Sequence, residues 1–147
     1  MRIDVLLDEL DKDLVIQPDE LGKESTNIPF LHNKYYRKLV VEKRHLREAN
    51  DLFAELKSKK FLWYSGKLSA EELKKEGWQP YPHVLHKVQI PLLMDGDADL
   101  NQTKKMLEEQ EEVVTYLLES LKMICSRHWQ IKNGIEWAKF MSGVGGA

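Results

Sequence analysis

An apolar repeat in the last third of the chain restricts the fold more than any other feature. Leu100, Leu107, Val114, Leu117, Leu121, Ile124, Ile131, Ile135 and Ala138 keep a 3–4 spacing, interrupted by Thr103, Gln110 and His128. A register held for more than five heptads requires a long helix that lays one stripe on its neighbours. Val113, Leu118 and Cys125 widen the stripe, and a wide stripe covers more than one partner. A multi-helix bundle is therefore expected rather than a two-stranded zipper. Asp97 or Asp99 caps the start of this helix, which runs to about Met141, and SGVGGA reads as a flexible tail.

The rest of the chain also reads as helix. IDVLLDELDKDL places Ile3, Leu6, Leu7, Leu10 and Leu14 at helical spacing, with an acidic opposite face. Pro18, Asp19 and Glu20 start a short second helix that Gly22 and the STN run weaken. From Ile28 to about Ser65 the stripe Ile28, Leu31, Tyr35, Leu39, Leu46, Ala49, Phe53, Leu56 and Trp63 predicts one long helix. Pro29 then sits in its first turn and Gly66 ends it. Ser69 and Glu72 form a capping box for a short helix closed by Gly77. WQPYPHVLHKVQIPLL, with three prolines, predicts an extended segment or short strand over 78–93. The fold class is thus mainly all-α, with long helices and a C-terminal coiled-coil or bundle region.

Length adds a constraint. Each long helix extends roughly 55–60 Å at ~1.5 Å per residue. A globule of 147 residues is only about 40 Å across, from a radius of gyration of ~15 Å. Ends and second faces need other partners, so a homo-oligomer assembled mainly through residues 100–140 is expected. Leu107, Val114, Leu117, Leu121, Ile124, Ile131 and Ile135 are its candidate contacts.

Charge is distributed unevenly. Residues 34–67 hold ten Lys and Arg against four acids, whereas the remainder holds twelve against twenty. A net charge of −2 therefore leaves room for an anionic partner, because the field depends on where charge sits. The densest piece is KSKKFLWYSGK, residues 57–67, where Lys57, Lys59, Lys60 and Lys67 bracket Phe61, Trp63 and Tyr64. Such a helix end can be a solvated face. Its one-signed excess, continued upstream by Lys43, Arg44 and Arg47, favours a strand of single-stranded nucleic acid held by phosphate contacts and ring stacking. Trp63 falls in the apolar stripe, so Tyr64 is the ring expected to be exposed.

Other chemistries find no support. His83 and His86 lack the further donors of a metal site, and DGDADLN lacks the glycine and glutamate of a calcium loop. No nucleophile motif or phosphate-cradling loop is present. Neither enzyme activity, nor a metal, nor a cofactor is expected. One cysteine, Cys125, suits a reducing compartment, and neither a leader peptide nor a membrane span is read.

With these segments placed, the chain resembles the UvsY family of phage recombination mediators. The likeness begins in MRIDVLLDELDKDLVI, continues through ELKSKKFLWYSGK and returns in SRHWQIKNGIEWAKF. In the family a basic pair before a YSG-like turn is associated with single-stranded DNA. Here one extra residue separates the Leu-Lys pair from the aromatics, so Lys57 with either Lys59 or Lys60 fills that role. The resemblance implies DNA contacts at Lys57, Lys59, Lys60, Tyr64, Lys67, Lys43, Arg44 and Arg47. It also implies a ring of about six or seven subunits that loosens single-strand-binding protein and helps a RecA-like recombinase load, in the cytoplasm of an infected bacterium. Regions 1–95, 96–141 and 142–147 would then be a DNA-binding region, an oligomerisation helix and a tail. The alternatives are a helical scaffold and an architectural DNA-binding protein. The acidic N-terminal helix is a candidate surface for a protein partner.

Overall fold

A computed structural model describes residues 1–143, which form five helices and no strand. They are α1 (Ile3–Asp13), α2 (Leu21–Tyr64), α3 (Ala70–Glu76), α4 (Gln89–Asp95) and α5 (Ala98–Met141). Of the tail expected at 142–147, Ser142 and Gly143 form a turn and the remainder lies outside the described residues. Among the described residues no helix is long and apolar enough to cross a membrane. One compact unit joins Met1–Arg44 to the chain from Glu111 onward, and a second comprises His45–Gln110.

In the first unit, α1 buries Leu6 and Leu10 completely. The Tyr35 ring of α2 is equally buried and donates its hydroxyl to Asp13 at 2.7 Å. Lys34 bridges Asp13 and Glu9, and Lys38 adds a contact to Glu9 at 3.1 Å. The Lys34 hydrogen bond leads the causes that hold the Glu9 carboxyl below its ordinary range. From α5, the Arg127 guanidinium donates to the Leu14 carbonyl at 2.7 Å and to Glu24 at 2.8 Å. It thereby caps the C-terminal end of α1, where a cation is favoured. Two carboxylates of the acidic α1 face are thus occupied within the chain. Asp4, Asp8 and Asp11 remain exposed.

Two local expectations are corrected here. α2 does not begin at Ile28 but at Leu21, and Pro29 lies inside it. The extra turns are held by tertiary contacts. Leu21 packs on Gly134, where an added Cβ would meet the Leu21 Cδ1 at 3.4 Å, and Glu24 pairs with Arg127. Pro29 and Ser25 are exposed, so the carbonyl left without an N–H partner faces water. The second correction concerns the repeat on α5. Val113, Val114, Leu117, Leu121, Ile124 and Ile131 are buried within this unit, Leu107 is buried in the other, and Ile135 is half-buried. Leu118 and Cys125 face outward instead of widening the stripe. The chain's own core thus takes up most of the positions expected to join subunits.

The second unit holds the end of α2, both short helices and the start of α5. Gly66, at φ 73, lets the chain turn back. The Lys67 N–H then reaches the Leu62 carbonyl at 2.8 Å, and the Gly66 N–H reaches Trp63 at 3.1 Å. Ser69 accepts from the Glu72 N–H at 3.2 Å and Gly77 closes α3, as its spacing predicts. Residues 78–93 are not extended throughout. Turns lead into α4, whose first turn contains Pro91 at a position where the missing N–H costs nothing. Asp97 caps α5 through the Leu100 N–H at 3.0 Å.

Candidate nucleic-acid interface

The last two turns of α2 carry the basic and aromatic residues singled out above, and helical geometry sorts them. Residues four apart share a face, so Lys60 and Tyr64 point one way while Lys57 and Phe61 point another. Lys60 and Tyr64 turn inward, only 4 % and 8 % exposed. Tyr64 joins Ile90, Met94 and Leu100 in the core of this unit, flanked by Phe53, Leu56, Trp63, Tyr81 and Leu85. The Tyr64 hydroxyl donates to Asp97 at 2.6 Å. Its ring stands edge-on to Trp63 and Tyr81, with centroids 4.8 and 5.0 Å away. The expectation that Tyr64 offers an exposed stacking surface is therefore overturned. Trp63 is also a packing residue: its indole N–H donates to the Gln79 carbonyl at 2.7 Å and its ring meets Tyr81 at 5.1 Å.

Lys60 is an internal cation. Its ammonium lies 2.9 Å from Asp99 and 3.2 Å from Asp97, and 4.4 and 4.9 Å from the Trp78 and Trp63 ring centres. Two carboxylates and two π-faces replace its water. Lys59 is engaged too, at 2.7 Å from Glu76 and 3.1 Å from Glu55, and these hydrogen bonds push its ammonium up to about 12. Both ammonium groups are thus engaged by carboxylates of the same chain. Lys57, Lys67 and Arg47 differ: all three are exposed and, among the described residues, take part in no ion pair. On the first unit's stretch of α2, Lys43 and Arg44 are likewise exposed and unpaired.

Burial alone would raise the Asp97 carboxyl. The Tyr64 hydroxyl, the Leu100 N–H and Lys60 outweigh it and hold the group below the usual carboxylate range. A depressed folded value contributes stability above the unfolded value, about 3.9, that is lost as pH falls through the folded one. The second unit should thus hold its stability down to about pH 5 and lose it progressively on further acidification. In denaturant titrations from pH 7 to pH 2, Asp97→Asn should be weaker at neutral pH and show a shallower acid decline. An unchanged decline would remove Asp97 from the account.

Beside this core the exposed side of α2 faces α4 across a groove of about 770 Å³, with Lys57, Phe61, Leu62, Pro91 and Met94 in its walls. A second lobe of about 540 Å³ shares Lys57, Met94 and Asp95 and reaches Lys104. Phe61, 49 % exposed, is the ring that the sequence reading passed over in favour of Tyr64. Its position four residues after Lys57 was the available signal. Lys104 had no such signal, because only the fold brings it to Lys57.

Comparison with known proteins agrees with this architecture. A sequence profile of the family described as "Recombination, repair and ssDNA binding protein UvsY" matches residues 9–144. Three crystal forms of the bacteriophage T4 recombination mediator protein UvsY have the same fold. Two have TM-scores of 0.83 at 20 % identity, covering 95 % and 97 % of this chain and 99 % and 98 % of theirs. The third has a TM-score of 0.76 at 19 % identity, covering 92 % of this chain and 98 % of its own. No curated protein is significantly similar in sequence. The profile spans nearly the whole chain, and the chain belongs to the UvsY family of recombination, repair and single-stranded-DNA-binding proteins.

Proposed function

We propose that the chain acts as a recombination mediator that holds single-stranded DNA as a homo-oligomer. It loosens single-strand-binding protein on that DNA and promotes loading of a RecA-like recombinase, in the cytoplasm of a phage-infected bacterium and without catalysis of its own. The observation that carries this reading is the sorting of cations on α2. Lys59 and Lys60 are neutralised internally, while Lys57, beside an apolar groove, Arg47 on the same helix and Lys67 just past its end are, among the described residues, in no ion pair. Uncompensated surface cations attract a polyanion, and their contacts release counterions. Lys43 and Arg44 add two more candidates.

Self-association, in this reading, uses the exposed end of α5. Trp137 and Phe140 are 63 % and 65 % exposed and stack on each other at 5.7 Å. Trp129 and Met141 are exposed as well. Large apolar side chains grouped on one helix end mark a contact surface, and a second copy of this helix is the occupant we assign. Assembly into a ring multiplies a weak site by effective concentration.

Fluorescence anisotropy of labelled single- and double-stranded oligonucleotides across a salt series tests the DNA part. Each phosphate contact contributes about −0.7 to the log–log salt slope on a single strand. Per subunit, Lys57→Ala with Lys67→Ala should make the slope shallower by about 1.4, whereas Lys59→Ala should move it far less. Equal binding to both nucleic acids, retained by the double variant, would favour an architectural protein instead.

A further inference from the structure

We infer that the groove between α2 and α4 receives an unstacked base of the bound strand, with Phe61 as the stacking surface and Lys57 holding the adjacent phosphate. This rests on single-strand binding, as proposed above, and adds how the strand is gripped. Several features of the groove point the same way. The chain offers several aromatic rings near its basic helix end, yet Trp63, Tyr64 and Tyr81 pack edge-to-face on one another in and against the core. Phe61 is the half-exposed ring of the KSKKFLWYSGK stretch, and it lies in the groove wall rather than against the core.

The walls are suited to a base rather than to a phosphate. Leu62, Pro91 and Met94 line them with apolar surface, and Asp95, also among the lining residues, carries a negative charge. A phosphate inside would be desolvated beside that carboxylate. A base has no charge to desolvate, and its π-face gains from an aromatic neighbour whatever its identity. Lys57, unpaired and on the same helical face as Phe61, then meets the phosphate at the mouth. The groove's 770 Å³ falls in the ~300–1,000 Å³ typical of small-molecule sites, which is room enough for one base with its sugar. A hydrophobic segment of a protein partner would not use the unpaired charge of Lys57, and so fits these features less well.

The test compares two labelled oligonucleotides of equal length: a thymidine oligonucleotide, and an abasic one that keeps every phosphate and lacks the bases. Anisotropy titrations would use the wild type, Phe61→Ala and Phe61→Tyr, each checked for native helicity by circular dichroism. The wild type should prefer the intact oligonucleotide by on the order of tenfold, as stacking on one ring implies. Phe61→Ala should lose that preference with its salt slope unchanged, and Phe61→Tyr should keep it. A folded Phe61→Ala protein with full preference would overturn base insertion and leave the groove to a protein partner. So would a wild type that binds both oligonucleotides equally. If the wild type bound neither, single-strand binding itself would fail, which is a different result from losing the base pocket.

Discussion

Replacing Lys60 with alanine is expected to destabilise the protein by about 3–5 kcal/mol, the range for removing one partner of a buried ion pair. The replacement strands Asp97, itself buried, with the Tyr64 hydroxyl as its remaining side-chain partner. It also removes the cation that fills the space over Trp63 and Trp78. For a chain of this length each kcal/mol moves the melting temperature by roughly 2–4 °C, so differential scanning calorimetry should register a drop on the order of 10 °C. Lys57→Ala, three residues earlier and exposed, should stay within about 0.5 kcal/mol of wild type. The two lysines look alike in the sequence, so this contrast tests the sorting directly. A Lys60→Ala protein as stable as wild type, with weakened DNA binding, would place Lys60 on the DNA instead.

The second large effect concerns assembly. Trp137→Glu combined with Phe140→Glu is expected to yield monomers by analytical ultracentrifugation and to weaken single-strand binding by about 10²–10⁴-fold through lost multivalency. Both positions are exposed within the chain, so the monomer's own stability should hardly change. The two carboxylates would also be uncompensated charges in an apolar contact. Should the double variant sediment like the wild type, the exposed end of α5 is not where copies meet. Among the heptad positions, Leu117 and Ile124 are completely buried within one chain, and exposing them would open its core.

Much of the fold was legible because its signals are local. The Ser69 cap, the Gly66 and Gly77 stops, the Asp97 cap and the long α5 stripe all depend on residues within one or two helical turns of each other. Where the reading failed, distant residues decided. Pro29 argued for a helix start, but Leu21 and Glu24 have partners at Gly134 and Arg127, more than a hundred positions away, and those contacts extend α2 backward. The prolines of 78–93 argued against helix, yet Pro91 falls in the first turn of α4, where it is harmless. Leu118 and Cys125 were placed on the buried stripe by spacing alone. The buried places went to Ser120, whose hydroxyl donates back to the Tyr116 carbonyl, and to Arg127, whose carboxylate partner lies on another helix.

The candidate site divides along the same line. From the sequence by itself came the helical end, its glycine stop, its excess of positive charge and the family to which it belongs. Composition and short-range spacing carry the first three, and the resemblance of particular segments carries the last. Only the tertiary structure decided which cations are available and which ring faces solvent. Lys60 finds Asp99 at a separation of 39 residues and Lys59 finds Glu76 at 17, whereas Lys57 is in no ion pair among the described residues. Lysines within one turn of a helix have nearly the same local sequence, but successive residues point about 100° apart. Whether each meets a carboxylate or water therefore depends on what the rest of the chain packs against that side.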